Sequence, residues 1–372
     1  MVASCSKTDV FVIGGGPAGL AAAIAARQRG LSVTVAEGTL PPIDKACGEG
    51  LMPETLAALR ELDVNIPPYQ GYPFRGICFL ENGEKVCAEF PQGAGLGIRR
   101  TVLHECMIRR ALQCGVRIRW QAPVVGITPA GVQLHGEFVP ARWIVGADGS
   151  SSRVRAWCGL ERAKAQKQRF AVRRHYRATP WSEYVEIYWT QKRQAYITPI
   201  SCLEVCVVVM GDSVEEAEVD TFLASCPQLA TRLAKAEISS RERGTITLMH
   251  ELHSVYAGSV ALVGDASGGV DAITGDGLRL TFRQAIGLAE AMRFNGMPSY
   301  ARAHRKLARK PALVGSLLLN LGRNAKLRAR VFPMLAKRPS VFAGMLAAHA
   351  GNADWNDLLF AGTQLVWRFL AT

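Results

Sequence analysis

No apolar run in the chain reaches the roughly eighteen residues that a helix needs to cross a hydrocarbon layer, so no membrane span is predicted. No secretory leader is predicted either. The first apolar run leads into Gly14 with no cleavage-like region behind it, and the expected location is cytoplasmic. Metal grammar is missing as well: the ten Cys include no Cys-x-x-Cys, and His250-Glu-Leu-His253 is too short for the spacing that sets two imidazoles on one helical face. No metal is expected, and reduced, mostly buried thiols are. Internal repeats and low-complexity tracts are lacking. Acidic residues are absent between Ala291 and Ala353, although Lys and Arg recur there from Arg293 to Arg338. That one-sided stretch supplies most of the net charge of +13, and without a recognised nucleic-acid module beside it no nucleic-acid partner is expected.

Three glycine-rich turns carry most of what the chain does contain. At 372 residues and 49% hydrophobic content it is long enough to bury a substantial core. The first turn follows the β-like run Val10-Phe-Val-Ile and precedes the Ala-rich stretch from Pro17 and Ala18 to Arg29, which reads as a helix. Gly14 is placed for a tight exit from the strand, Gly16 for close backbone approach to a pyrophosphate, and Gly19 for close helix–sheet packing. The free N–H groups and positive dipole end of that helix would face the phosphates. Leu31 to Ala36 reads as the second parallel strand, and Glu37 at its end is placed to accept from a ribose hydroxyl.

The other two turns are Gly146-Ala-Asp148-Gly-Ser-Ser-Ser-Arg153 and Gly264-Asp265 running on to Thr274-Gly275-Asp-Gly277-Leu278. With the first they resemble the FAD-dependent class of aromatic hydroxylases and geranylgeranyl reductases. That resemblance implies roles toward FAD for Gly264, Asp265, Gly275, Gly277 and Leu278, for Asp148, and for Arg100 in Gly97-Ile-Arg-Arg100-Thr-Val-Leu103-His. Asp148 also reads as a turn cap. The segment Asp44-Lys45-Ala-Cys47-Gly48 is similar to a Lys-x-Cys-Gly stretch of the reductase branch, which implies that Lys45 and Cys47 lie beside the flavin ring system.

The expected fold is α/β, a Rossmann-like FAD-binding domain interleaved with an antiparallel substrate sheet and followed by helices. The FAD domain is assigned to 1–65, 95–160 and 255–299, the substrate domain to 66–94 and 161–254, and the helical region to 300–372. Strands are predicted on both sides of Asn82-Gly83 and again at Glu183–Trp189, Ala195–Ile200 and Glu204–Met210. Tyr188 and Tyr196 are candidate pocket residues, alongside Tyr176, Tyr184 and Trp189. The Leu313, Leu317, Leu318 and Leu321 stripe predicts a basic amphipathic helix, read either as a cap packed on the FAD domain or as a peripheral membrane contact.

The implied activity is FAD-dependent monooxygenation of a hydrophobic phenolic, polyketide or lipid-like substrate, with NAD(P)H and oxygen. A flavin-dependent ene-reductase of the geranylgeranyl-reductase type is the alternative, and a non-enzymic FAD-binding membrane-surface module the third reading. No side chain is singled out as a catalytic acid or base, and no second dinucleotide turn is present to hold the nicotinamide coenzyme.

Overall fold

The computed structural model describes residues 8–162 and 167–349. The parts of the assigned domains at 1–7, 163–166 and 350–372 lie outside the described residues. The first sheet is built on Thr8–Ile13, which pairs in parallel with Val33–Ala36 on one side and with the end of Glu137–Gly146 on the other. Arg117–Arg119 and Val260–Leu262 extend it outward, again in parallel. Val10, Phe11 and Val12 are all fully buried, the mark of a central parallel strand covered on both faces. Pro17–Gln28 covers one face. Pro17 opens that helix where its missing N–H costs nothing, and Gly30 at φ +79° follows its end.

The second sheet has the order Glu237–Ile238, Lys167–Arg177, Glu204–Gly211, Gln194–Ser201, Tyr184–Trp189, Gly76–Glu81, Glu84–Glu89, with Arg243–Met249 also on Lys167–Arg177. Its pairs are antiparallel with one exception. Where the two inserted pieces of chain meet, Tyr184–Trp189 runs parallel to Gly76–Glu81. Alternation then sorts the side chains: Val185, Ile187 and Trp189 pack on one face, Glu186 and Tyr188 on the other.

One pair of thiols departs from the expectation of reduced cysteines. Cys78 and Cys87 form a disulfide with a Cα–Cα distance of 4.1 Å. The hairpin explains it: Asn82 and Gly83 both have positive φ, the two-residue turn that fixes register, and this register sets Cys78 directly opposite Cys87. The helices Met297–Arg323, Ala325–Lys337 and Pro339–His349 close the molecule. Leu319, Phe332, Leu335, Phe342 and Leu346 share one apolar cluster with Phe79, Val185 and Trp189 of the second sheet. No helix among the described residues is long and apolar enough to cross a membrane.

Candidate functional site: a cavity between the two sheets

A cavity of about 790 Å³ runs from the glycine turns of the first sheet to the inner face of the second. At its first end the backbone makes the wall. A Cβ on Gly14, at φ +109°, would lie 2.4 Å from the Ala147 carbonyl oxygen, and one on Gly19 would lie 1.8 Å from the Gly14 carbonyl oxygen. A Cβ on Gly16 would meet nothing within 4 Å, because that position faces the open cavity. The helix behind it begins at Pro17 with no side chain capping its N–H groups. A free helix N-terminus under an unobstructed glycine is a cradle for an anionic group such as a pyrophosphate.

Glu37 holds this turn through both carboxylate oxygens. One accepts from the Gly15 N–H at 2.8 Å, the other from the Thr39 N–H at 3.0 Å and hydroxyl at 2.9 Å. From the opposite side His104, fully buried, donates through Nε2 to the Gly15 carbonyl at 2.8 Å and accepts the Ile43 N–H at 3.2 Å. Burial lowers the pKa of this imidazole, which suits its use of both nitrogens in the neutral form. His104 was quoted in the sequence motif, yet its function as a prop under the glycine turn could not be read there.

Most of the predicted site residues line this one cavity: Gly14, Gly16, Pro17, Ala18, Glu37, Lys45, Cys47, Arg100, Asp148, Tyr196, Asp265, Gly275, Gly277 and Leu278. Gly19 and Gly264 stand behind the wall as packing positions; a Cβ on Gly264, at φ +63°, would press on Ala18 at 2.8 Å. Tyr188 is a correction. It lies on the far face of its strand, 2% exposed, and donates to Glu186 at 2.8 Å, so it does not reach the cavity. Asp148 lines the cavity but spends its carboxylate as a cap, accepting from the Ser152 hydroxyl at 2.5 Å and from the Arg153 and Val154 N–H groups at 2.8 and 3.1 Å. Lys45 pairs with Asp265 at 3.2 Å across the cavity wall. Arg100 has a buried Nε without a hydrogen-bond partner, an orphaned donor at a site that awaits an acceptor.

The segment bearing Lys45 and Cys47 is anchored from below by charge. Arg173, 1% exposed, makes two hydrogen bonds to Asp44 at 2.7 and 2.9 Å and holds the Asp44 carboxyl below its usual range. Glu49 is bonded to His175 at 2.6 Å and receives the Arg100 N–H at 2.9 Å. Arg99 can only donate to His175 Nδ1, at 2.7 Å, so the imidazole gives its Nε2–H to Glu49. Glu49, His175 and the Cys206 thiol lie close enough together to ligate a metal. Arg99 and Arg173 crowd that same cluster, which makes it a compensated ion-pair network.

The far end of the cavity is hydrocarbon. Ile77, Phe79, Val185 and Ile187 of the sheet face Val314, Leu317, Leu318, Phe342, Met345 and Leu346 of the closing helices. Tyr196 is fixed at the boundary by donating to the Ile273 carbonyl at 3.0 Å. Neither sequence reading of the basic helices, as cap or as membrane contact, anticipated that they wall the cavity. The signal was present in the Leu317-Leu318 and Met345-Leu346 pairs, but an apolar stripe does not say which neighbour it faces.

The family described as "FAD binding domain" matches residues 7–294. The chain is 24% identical over 324 residues to a menaquinone reductase of Mycolicibacterium smegmatis, covering 80% of this chain and 79% of that one. It is 27% identical over 305 residues to a digeranylgeranylglycerophospholipid reductase of Methanothermobacter thermautotrophicus, covering 75% of each. A putative 2-heptyl-3-hydroxy-4(1H)-quinolone synthase of Rhodococcus erythropolis is 27% identical over 304 residues, covering 76% and 79%. Among solved structures, a flavoprotein/dehydrogenase from Cytophaga hutchinsonii superposes with a TM-score of 0.80 at 18% identity, covering 95% of each chain. A geranylgeranyl bacteriochlorophyll reductase-like protein from Thermoplasma acidophilum does so at 0.77 with 19% identity and 96% coverage of each. These two likenesses show the fold.

Proposed function

The chain belongs to the FAD binding domain family, and from that premise we propose that it reduces an isoprenoid double bond in a lipid-tailed substrate. That it is an FAD-dependent oxidoreductase follows from the family; the choice of reaction rests on the shape of the cavity. Carrying that choice is the hydrocarbon end, where Phe79, Val185, Ile187, Leu318 and Leu346 offer length and no charge, as an extended prenyl chain requires. The reductase relatives, named for menaquinone and for a digeranylgeranylglycerophospholipid, point the same way. The nucleotide domain is assigned to 1–65, 95–160 and 255–299, the substrate domain to 66–94 and 161–254, and the helical region to 300–372, whose described part walls the cavity.

The residues present fit FAD. Gly14, Gly16, Pro17 and Ala18 would hold its pyrophosphate, Glu37 its adenosine ribose and Asp265 its ribityl chain; Lys45, Arg100, Gly275, Gly277 and Leu278 would line the rest of it, with Asp148 shaping the wall through the turn it caps. When bound, FAD supplies hydride chemistry, with NAD(P)H as the two-electron source. What the chain contributes is placement. The Ala46–Gly50 segment and the Thr274–Gly277 turn bracket the cavity, Tyr196 closes its polar boundary, and the aliphatic wall excludes water.

Monooxygenation of an alkyl-tailed aromatic head is the second reading, favoured by the quinolone synthase relative. Turnover with NAD(P)H under labelled oxygen separates the two. A product heavier by two hydrogens, formed equally without oxygen, supports reduction; one labelled oxygen atom in the product replaces it with oxygenation.

Peripheral membrane contact belongs to the same proposal. Leu317 lines the cavity yet is 54% exposed, and Leu313 beside it is 41% exposed, on a helix whose outer face carries Arg302, Arg305 and Lys306. A basic, partly apolar rim of this kind would let a lipid tail pass from an anionic bilayer into the cavity. Flotation with anionic and neutral vesicles tests it; equal partition to both removes the contact.

A further inference from the structure

Either reaction consumes one proton per turnover. NAD(P)H and H⁺ with an alkene give NAD(P)⁺ and the saturated product, and NAD(P)H, H⁺, oxygen and an aromatic C–H give NAD(P)⁺, water and the hydroxylated product. A side chain in the cavity that can exchange a proton with solvent is placed to deliver it where the chemistry occurs.

Among the described lining residues the single imidazole is His349, in the last turn of Pro339–His349. Its Nε2 lies 3.1 Å from the Thr274 carbonyl oxygen and 3.3 Å from the Asp276 carboxylate. Both neighbours are acceptors, so Nε2 carries a hydrogen and Nδ1 is left as the nitrogen that gains and loses a proton. Asp276 is fully buried. Its Oδ1 takes the Arg279 Nε–H at 2.6 Å, and its Oδ2, which has no hydrogen-bond partner of its own, faces the imidazole. Among the described residues Glu54 lies within electrostatic reach of Arg279, His349 and Asp276; burial raises the pKa of the Glu54 carboxyl. A carbonyl that accepts from one ring nitrogen, with a buried carboxylate facing the same nitrogen, holds the single tautomer that a proton-transferring histidine needs. The Thr274 carbonyl belongs to the same turn as Gly275 and Gly277, which line the cavity.

We propose that His349, oriented by Asp276, is the residue that carries the proton consumed in each turnover from solvent into the cavity. The imidazolium gives its Nδ1 proton to the reacting centre, becomes the neutral Nε2–H ring, and recovers a proton from water. In double-bond reduction the N–H bond is exchanged for a C–H bond made with the former π pair, while the hydride that originates from NAD(P)H forms the C–H bond at the other carbon; in oxygenation the N–H bond is exchanged for an O–H bond of the water formed, the two electrons again originating from NAD(P)H. This role rests on the cavity being the oxidoreductase site, and it is indifferent to which of the two reactions occurs there.

Two measurements test it without a substrate. The first is nitrogen-15 NMR of histidine rings in the full chain, with His349 assigned by the signal lost in His349→Gln. The expected result is a ring that carries its hydrogen on Nε2 in wild type, with that tautomer preference weakened in Asp276→Asn. A ring that carries its hydrogen on Nδ1, or one whose tautomer is the same in Asp276→Asn, overturns the proposal. The second is the midpoint potential of bound FAD against pH. Reduction adds negative charge to the cavity and draws a proton onto a nearby imidazole, so wild type should show a slope steeper than His349→Gln. The expected difference is tenfold in equilibrium constant per pH unit, or about 30 mV for a two-electron couple. Coincident slopes at equal FAD occupancy overturn it. A chain that binds no FAD refutes the functional reading instead, and the ring is still judged by the first measurement. If His349→Gln does not fold, Asp276→Asn carries the same comparison.

Discussion

The two ends of the cavity are made of different materials. At the first sheet the wall is backbone: Gly14 and Gly19 leave no room for a single carbon, and Gly16 leaves room only toward the cavity. At the second sheet it is side-chain volume from Phe79, Ile187, Leu318 and Leu346, residue types that exchange for one another at modest cost. The contrast teaches where each kind of specificity resides. A turn walled by backbone admits one shape and tolerates almost no change, whereas a hydrocarbon wall sets a length and a width that evolution can adjust residue by residue.

The sharpest way to break this contrast is at the glycines themselves. Gly19→Ala places a carbon 1.8 Å from the Gly14 carbonyl oxygen, so it should cost roughly 3 kcal/mol or more by denaturant titration and abolish FAD binding with it. Unchanged stability would mean that the helix does not pack on the turn as described.

A second effect falls on the seam between the two ends. The helix Met297–Arg323 packs its first half on the core of the first sheet and lines the cavity with its second. His304 joins it to the Gly264 turn: its Nε2 lies 3.0 Å from the Gln284 amide nitrogen, whose carbonyl accepts the Gly264 N–H at 2.9 Å. Burial lowers the His304 pKa to about 4. A depressed histidine binds its proton more readily in the unfolded chain, so its penalty is absent above about pH 6.5 and grows as pH falls toward 4. Acid should therefore remove on the order of 3 kcal/mol across that window, with His104 adding in the same direction. Unfolding curves at graded pH should flatten in His304→Gln; an identical acid limb would place the loss elsewhere.

Gly16→Val sharpens the comparison from the other side. A Cβ there meets nothing within 4 Å and the position faces the open cavity, so melting of the FAD-free chain should shift by no more than about 0.5 kcal/mol. FAD affinity should nonetheless drop about a hundredfold, equivalent to roughly 2.7 kcal/mol, in a fluorescence titration. A stability loss as large as that of Gly19→Ala would show that the open space is not a ligand cradle. The smallest effect is expected at the hydrocarbon end. Leu317→Ala should leave FAD occupancy intact and weaken a long-tailed substrate by only about three- to tenfold, consistent with one partly exposed aliphatic side chain.

The same division explains what could be read from sequence. Gly14, Gly16, Gly19 and the strand–turn–helix around them were legible because backbone geometry restricts the residue type. So was the Asn82-Gly83 hairpin, although its consequence, Cys78 opposite Cys87, required counting the register outward. Tyr188 and Tyr196 were indistinguishable without knowing which face of each strand meets the cavity; the structure turns one to Glu186 and the other to Ile273. His349 carries no motif. Its partners at Thr274 and Asp276 are remote in sequence, and only the folded chain brings them within reach.

The parallel pairing of Glu137–Gly146 with Val260–Leu262 has a further consequence, in time rather than in space. The strand that completes the first sheet, and the Gly264 turn that follows it, emerge from the ribosome only after the entire inserted sheet has been made. Until then the edge of Ile144, Val145 and Gly146 is unsatisfied, and its eventual partners at Val260, Ala261 and Leu262 do not yet exist. Long-range parallel pairing of this kind is slow to form and leaves an adhesive edge meanwhile. A growing chain of this protein thus passes through a waiting period during synthesis in which that edge stays unpaired.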